Sequence, residues 1–455
     1  MNRMTYPLFR ALLAVVALAV LPATLDASEP TNYVVVILDV GTEGLDVSQK
    51  EGRIASAQNA VIASLAADQW KTVYRYRRIA ALTGRGTPQA LRQLQLDPRV
   101  VSVGPDHRIR AAAGEALPWA GSTTAFEEYG LTGEGVTVAI FDTGIDTDHA
   151  DFAGRITAGG SFLNQGTTND GIEDLNGHGT NVAGILGSAG VVSDPGVARG
   201  VDLLIYRVLD GNSSGWVSDW AAAADDAASL DDETLRVSNS SLASFDLFSG
   251  CPCVEGSDAP SWAVLAREAY ANLEEQGVLN FACSGNMGSR EALPIPACLG
   301  STLAVGAVYD ADYGAQPGTG TYATLWSGFG ACADSETEPD LVTCFTNINA
   351  CLDFLGPGSK LSSSGTGGGL DLFTGTSQAT PVVAGTAALL VQASPTSPSS
   401  YIEDVLAASG VMVDLPPEFP GQRPRVDIHG ALDAVLCGNG VVDSDETCDW
   451  AIPGA

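Results

Sequence analysis

The chain has 455 residues, 45% of them hydrophobic and 17% charged, which suits roughly two to four domains with at least one large core and excludes a disordered chain. Net charge is −32, from 54 acidic and 22 basic residues; a surface that negative repels phosphate backbones, so nucleic acid is not an expected partner. The charge is unevenly divided. Residues 1–110 hold thirteen basic and nine acidic side chains, and residues 111–455 hold nine basic and 45 acidic ones, so a basic first part should attract an acidic second part.

The first feature along the chain is the apolar run Ala11 to Leu21, preceded by Arg3 and Arg10 and followed by Pro22 and Ala23. It is too short to span a bilayer and reads as the core of a removed export signal over residues 1–27. Nine cysteines follow, none before Cys251, a usage that favours disulfides in an oxidising compartment over a metal cluster. Their odd number leaves at least one without an intramolecular partner, and a bridge such as Cys332 to Cys344 is plausible. Next come a strand at Tyr33 to Leu38, a helix at Glu51 to Ala67, a strand at Lys71 to Ile79, a helix at Thr87 to Leu96 and a last strand at Val100 to Val103. They predict a small α+β domain over residues 28–110. Ala111 to Pro118 is rich in small residues and reads as an exposed linker and cleavage zone.

Beyond it, nearly continuous apolar strands, Val136 to Phe141 and Leu203 to Leu209, alternate with helices at Val182 to Ser188, Trp216 to Ala228 and Ala259 to Glu275. Such a pattern predicts an α/β domain with a mostly parallel sheet covered on both faces. Two stretches, Phe245 to Asp258 and Ala323 to Ala350, read as insertions, and residues 437–455 as a short acidic tail with Cys437 and Cys448.

Four segments carry reactive groups. Strand Val136 to Phe141 runs into Asp142-Thr-Gly144-Ile-Asp146, and open α/β sheets place ligands at the carboxyl ends of their strands. In Asn176-Gly-His178-Gly-Thr-Asn181 a histidine between glycines opens an apolar helix, which fixes where the imidazole points. In Gly375-Thr-Ser377-Gln-Ala-Thr-Pro381 a glycine turn delivers Ser377 to a helix N-terminus, where the dipole favours developing negative charge. Cys283-Ser-Gly285-Asn286 ends a strand in a turn whose amide can donate to an oxyanion. Each alone has a plain structural reading as a turn or cap residue.

Together, in the order Asp142, His178, Ser377, these motifs resemble the subtilisin family of serine endopeptidases over residues 119 to 436. The resemblance implies a subtilisin-like three-layer domain at 111–436, preceded by a ferredoxin-like inhibitory propeptide. It assigns Asp142, His178 and Ser377 to catalysis, Asn286 to the oxyanion hole, and Ser241, Leu242 and Ala243 to the substrate strand. Asn181, Gln378, Val382 and Ala243 depart from the usual pattern. It further implies protein substrates, an extracellular location, a monomer and no cofactor for the chemistry, with a structural Ca²⁺ expected at Asp151. The tail is similar to the start of cysteine-rich repeats of exported myxobacterial proteins, and its carboxylates are a second place for Ca²⁺. Two rivals are a catalytically silent binding protein on the same fold, and an α/β-hydrolase esterase. The esterase would want Gly-x-Ser-x-Gly and the chain order Ser, acid, His.

Overall fold

The computed structural model describes residues 33–41, 44–111, 122–163, 167–168, 171–230, 232–255, 259–316 and 332–437. The expected export signal, most of the linker and the tail beyond Cys437 lie outside them. The N-terminal module is β1 (Tyr33–Leu38), α1 (Val47–Ala63), β2 (Trp70–Arg75), β3 (Ala81–Gly86), α2 (Pro88–Gln95) and β4 (Val100–Pro105). Its sheet has the order β2-β3-β1-β4, the split βαβ arrangement of ferredoxin-like modules. Helix α1 begins four residues before the expected Glu51. Asp46 accepts the Gln49 N–H and the Gln49 side chain returns to the Asp46 N–H, so a capping box sets the start. The strand expected at Lys71 to Ile79 ends at Arg75 as β2, and a further strand, β3, pairs back on it beyond Ile79. Glycines sit in β3 because the Trp70 indole lies across it: a Cβ on Gly84 would stand 2.3 Å from the ring.

Period-two alternation gives this sheet two faces. Val34, Val36 and Leu38 pack with Trp70, Leu82 and Leu94 beneath the module's own helices. Val35, with Tyr74, Tyr76, Ile79 and Ala81, instead joins the core of the following domain beside Trp220.

After the short strand β5 (Arg108–Ala111) come α3 (Ser122–Tyr129), β6 (Thr137–Asp142), β7 (Ile156–Phe162), β8 (Thr167–Thr168), α4 (His178–Gly187), β9 (Asp202–Arg207), β10 (Ser214–Trp216), α5 (Val217–Ala228), β11 (Leu235–Ser240), β12 (Leu242–Ser244), β13 (Leu247–Phe248), α6 (Ser261–Glu275), β14 (Leu279–Cys283), β15 (Leu293–Pro294), β16 (Leu303–Val308), β17 (Leu352–Pro357), β18 (Leu361–Gly365), β19 (Gly369–Phe373), α7 (Thr376–Ala393), α8 (Ser399–Ser409), β20 (Val411–Asp414), β21 (Gln422–Arg425) and α9 (Ile428–Cys437). The central sheet has the order β20-β21-β17-β16-β14-β11-β6-β9-β7-β8. It is parallel from β7 to β21 and antiparallel only where β8 and β20 join its edges.

Every residue of β6 is buried, because helices cover both faces. Ala139 and Phe141 point into the cluster with α5 and α6. Val138 and Ile140 point into the other, with α4 and α7. Disulfides tie Cys251 to Cys351, Cys253 to Cys298 and Cys332 to Cys344, and Cys283 forms none. Among the described residues no helix is long and apolar enough to cross a membrane.

Candidate active site

Asp142 is the last residue of β6 and is fully buried. Its Oδ1 accepts the Thr143 N–H at 2.7 Å and lies 2.7 Å from His178 Nδ1. A carboxylate there holds the proton on Nδ1, which makes Nε2 the accepting nitrogen. His178 opens α4, and the loop before it is built around Asp174, whose carboxylate accepts the N–H groups of Asn176, Gly177 and Thr180 and the Thr180 hydroxyl, at 2.7–2.9 Å. Burial would raise the Asp174 pKa, but these bonds together hold it below the usual value.

The two motifs interlock. The Gly179 N–H donates to Thr143 Oγ1 at 2.8 Å, and the Asp146 N–H donates to Thr180 Oγ1 at 3.0 Å. A Cβ on Gly179 would lie 2.2 Å from the Gly144 carbonyl oxygen, so the glycine after the histidine lets the end of β6 meet the start of α4. Asp174 carries no family-like motif of its own, and sequence reasoning passed over it. Its three-residue step to Gly177, a turn glycine at φ +107°, is the available signal.

Ser377 stands in the first turn of α7, which packs against α4. Gln378, next to it, donates to Asn181 of α4 at 3.4 Å. The Ser377 hydroxyl donates to the Ser241 carbonyl at 3.1 Å, and the Ser241 hydroxyl returns a bond to the Ser377 carbonyl at 2.7 Å. Pro381 explains the second bond. Four residues on from Ser377, it has no N–H for that helical carbonyl, and Ser241, at the head of β12, supplies the donor instead. Pro381, inside α7, thus opens a backbone acceptor that ties Ser241, at the head of β12, to that helix.

Asn286 follows β14. Its Oδ1 accepts the Thr376 N–H at 2.9 Å and the Thr376 hydroxyl at 2.8 Å, so the amide is anchored one residue from Ser377. Its Nδ2 is buried and has no hydrogen-bond partner among the described residues. A buried donor without a partner asks for a ligand. Cys283, also buried, lies beside the same helix start. Burial pushes its thiol up to about 12, against opposing contacts from the Ser377 and Thr376 side chains, so it stays protonated and does not compete as a nucleophile.

Strand β5 lies antiparallel between β10 and β12. Its register sets Ala111 opposite Leu242, Arg110 opposite Ala243 and Ile109 opposite both Ser244 and Gly215. The sequence pattern puts the last strand of the module at Val100 to Val103 and carries no signal for this one. Leu242 and Ala243 are therefore buried partners of an extended strand, with Ser241 just ahead of them.

Asp151 does not fit the expected calcium ligand. Its carboxylate accepts the N–H groups of Val191, Val192 and Ser193 and the hydroxyls of Ser193 and Ser364, at 2.7–3.1 Å. A cation at those oxygens would face donor hydrogens. Burial alone would raise this carboxyl, yet these bonds hold it down at about 2. Its contribution to stability is complete above the ordinary carboxylate value near 4 and is lost as pH falls through about 2. Asp151→Asn should lower stability by about 2–3 kcal/mol at neutral pH, read as a fall in the melting temperature, while a chelator leaves the Asp151 site unaffected. Among the described residues no group of three or more His, Cys, Asp or Glu is arranged to hold a metal ion.

An Asp–His pair at the carboxyl end of a parallel sheet, its histidine on a helix packed against the one whose first turn carries a serine, is an arrangement of the kind serine hydrolases use. The Subtilase family profile, Peptidase_S8, matches residues 133–415, and the chain belongs to that family. The alkaline protease of Alkalihalobacillus alcalophilus is 31% identical over 331 residues, 71% of this chain and 72% of the relative. The extracellular serine proteinase of Thermus sp. (strain Rt41A) is 31% identical over 333 residues, 70% of this chain and 68% of the relative. A crystal structure of a cold adapted subtilisin-like serine proteinase aligns with a TM-score of 0.48 at 25% identity, covering 65% of this chain and 89% of that one. The protein has a subtilisin-like α/β fold and is a serine-type endopeptidase acting on protein substrates.

Proposed function

We propose that this is an exported endopeptidase, monomeric and made as a zymogen that processes itself, working through an acyl-enzyme on Ser377. The Ser377 hydroxyl attacks the carbonyl carbon of a peptide bond while His178 Nε2 takes its proton. Asp142 holds the imidazole in that tautomer and stabilises the imidazolium. The Asn286 Nδ2 and the Ser377 N–H receive the oxyanion. Collapse expels the amine, which takes the proton from His178; water then repeats the sequence and releases the acid. The observation that carries this reading is the 2.7 Å contact between Asp142 and His178, which opens a helix packed against the one whose first turn holds Ser377. Main-chain pairing along β10 and β12 would bind extended peptides with little regard for most side chains. The extracellular serine proteinase among the relatives and the disulfides support export.

The N-terminal module acts as the propeptide. Its surface meets α5 and α6 through polar contacts to the acidic domain. Tyr74 donates to Asp219 at 3.0 Å, and the Arg77 and Arg78 N–H groups donate to Asp225 at 2.6 and 3.0 Å. Lys50 lies 3.6 Å from Glu275. In return the module's Asp106 accepts the Ser218 N–H in the first turn of α5, a helix with no side-chain cap of its own. Strand β5 then occupies the groove as a substrate would. Its last paired residue, Ala111, stands opposite Leu242, next to Ser241, the residue bonded to Ser377, and a substrate held in this register would bring its next residue to Ser241. The bond after Ala112 is therefore the one to be cut.

Mass spectrometry of the secreted product tests this. The wild type should yield a mature chain beginning at Ala113, and Ser377→Ala a chain with the module still attached. Equal processing of both would refute self-cleavage.

A further inference from the structure

One contact in the groove has no part in the chemistry. Arg108 and Trp216 face each other across the β5–β10 ladder, and the guanidinium carbon lies 4.4 Å from the centroid of the indole ring. The backbone holds them in place, because the Val217 N–H donates to the His107 carbonyl at 2.7 Å immediately beside the pair. Beside the indole stands Tyr33 of the module, its ring centroid 6.3 Å away, with the Arg85 guanidinium over the Tyr33 face. Once the module leaves, the indole loses Tyr33 and Arg108 and keeps its position on β10. An aromatic face in a groove attracts a cation through its quadrupole. The domain that carries it holds 45 acidic and nine basic residues from position 111 onward, so the long-range field favours the same charge.

We propose that Trp216 is a specificity-determining platform that selects a cationic side chain, arginine above all, four residues ahead of the residue whose carbonyl is attacked. This rests on reading β5 as a substrate-like strand in a chain that is cut after Ala112. Ile109, fully buried and opposite Gly215, fixes the strand beside it, so a peptide bound in the same register must set its equivalent of Arg108 over the indole.

The test uses the matured enzyme and acetyl-Arg-Ile-Arg-Ala-Ala p-nitroanilide, against peptides with citrulline or Ala in place of the first Arg. Citrulline keeps the planar shape and removes the charge. The wild type should prefer Arg over citrulline by roughly 3- to 30-fold in kcat/KM. Trp216→Ala should reduce that ratio to about one, and Trp216→Tyr should retain most of it. Equal cleavage of the Arg and citrulline peptides by the wild type overturns the proposal without any variant. So does an Arg preference that persists undiminished in Trp216→Ala, which would assign it to the acidic field alone. Hydrolysis of casein with no preference among the peptides sinks this inference and leaves the peptidase reading standing. Absence of all hydrolysis takes down both.

Discussion

Ser377→Ala should lower turnover by about a million-fold, the size known for the same change in subtilisin itself and carried over to this relative. Adding His178→Ala to that variant should cost almost nothing more. The reason lies in the division of labour: the imidazole accelerates the reaction only by moving the proton of the serine hydroxyl. Once the hydroxyl is gone, His178 has nothing to take up and nothing to return, and the residual rate comes from binding and the oxyanion donors. Both variants would be matured by an added, separable protease and compared by steady-state hydrolysis of a peptide amide. A double variant slower than Ser377→Ala by the whole factor that His178→Ala costs on its own would mean that the two side chains act independently, and the triad would be lost.

Asn286→Ala is the second large effect, a loss of about 100- to 1,000-fold in kcat with KM changed little, again the range established for subtilisin. The geometry sets this split. With Oδ1 taken by the Thr376 N–H and hydroxyl, the amide presents Nδ2 as a buried donor without a partner among the described residues. A ground-state carbonyl gains little from it, and a tetrahedral oxyanion gains a charge-assisted bond in a low-dielectric site. If Asn286 were only a turn residue, its replacement would lower the melting temperature and leave kcat alone.

Much of the catalytic domain is legible in the sequence because its strands are buried on both faces. Continuous apolar runs mark β6 and β9, and the end of the first delivers Asp142. The motif glycines are legible too, since Gly144, Gly177 and Gly179 occupy places where a side chain would clash or a positive φ is needed. Other features depend on partners far away in the chain. The hairpin strand β3 looks like a turn because Gly84 and Gly86 make room for Trp70. Strand β5 is four residues long and exists through β10 and β12, more than a hundred residues on. Cys251 and Cys351 lie 100 residues apart, beyond what spacing alone can pair, whereas Cys332 and Cys344 are twelve apart, close enough for the sequence to suggest the bridge. At Asp151 the carboxylate in a familiar place suggested a cation. The loop around it turns its N–H groups inward, and no single-residue reading reveals that.

The most direct measurement is peptide mapping of the matured protein after treatment with a fluorophosphonate. The proposed mechanism predicts one adduct, on Ser377, abolished in His178→Ala because the hydroxyl then lacks its base. Labelling of a different residue, or labelling of Ser377 at an undiminished rate without His178, would contradict it.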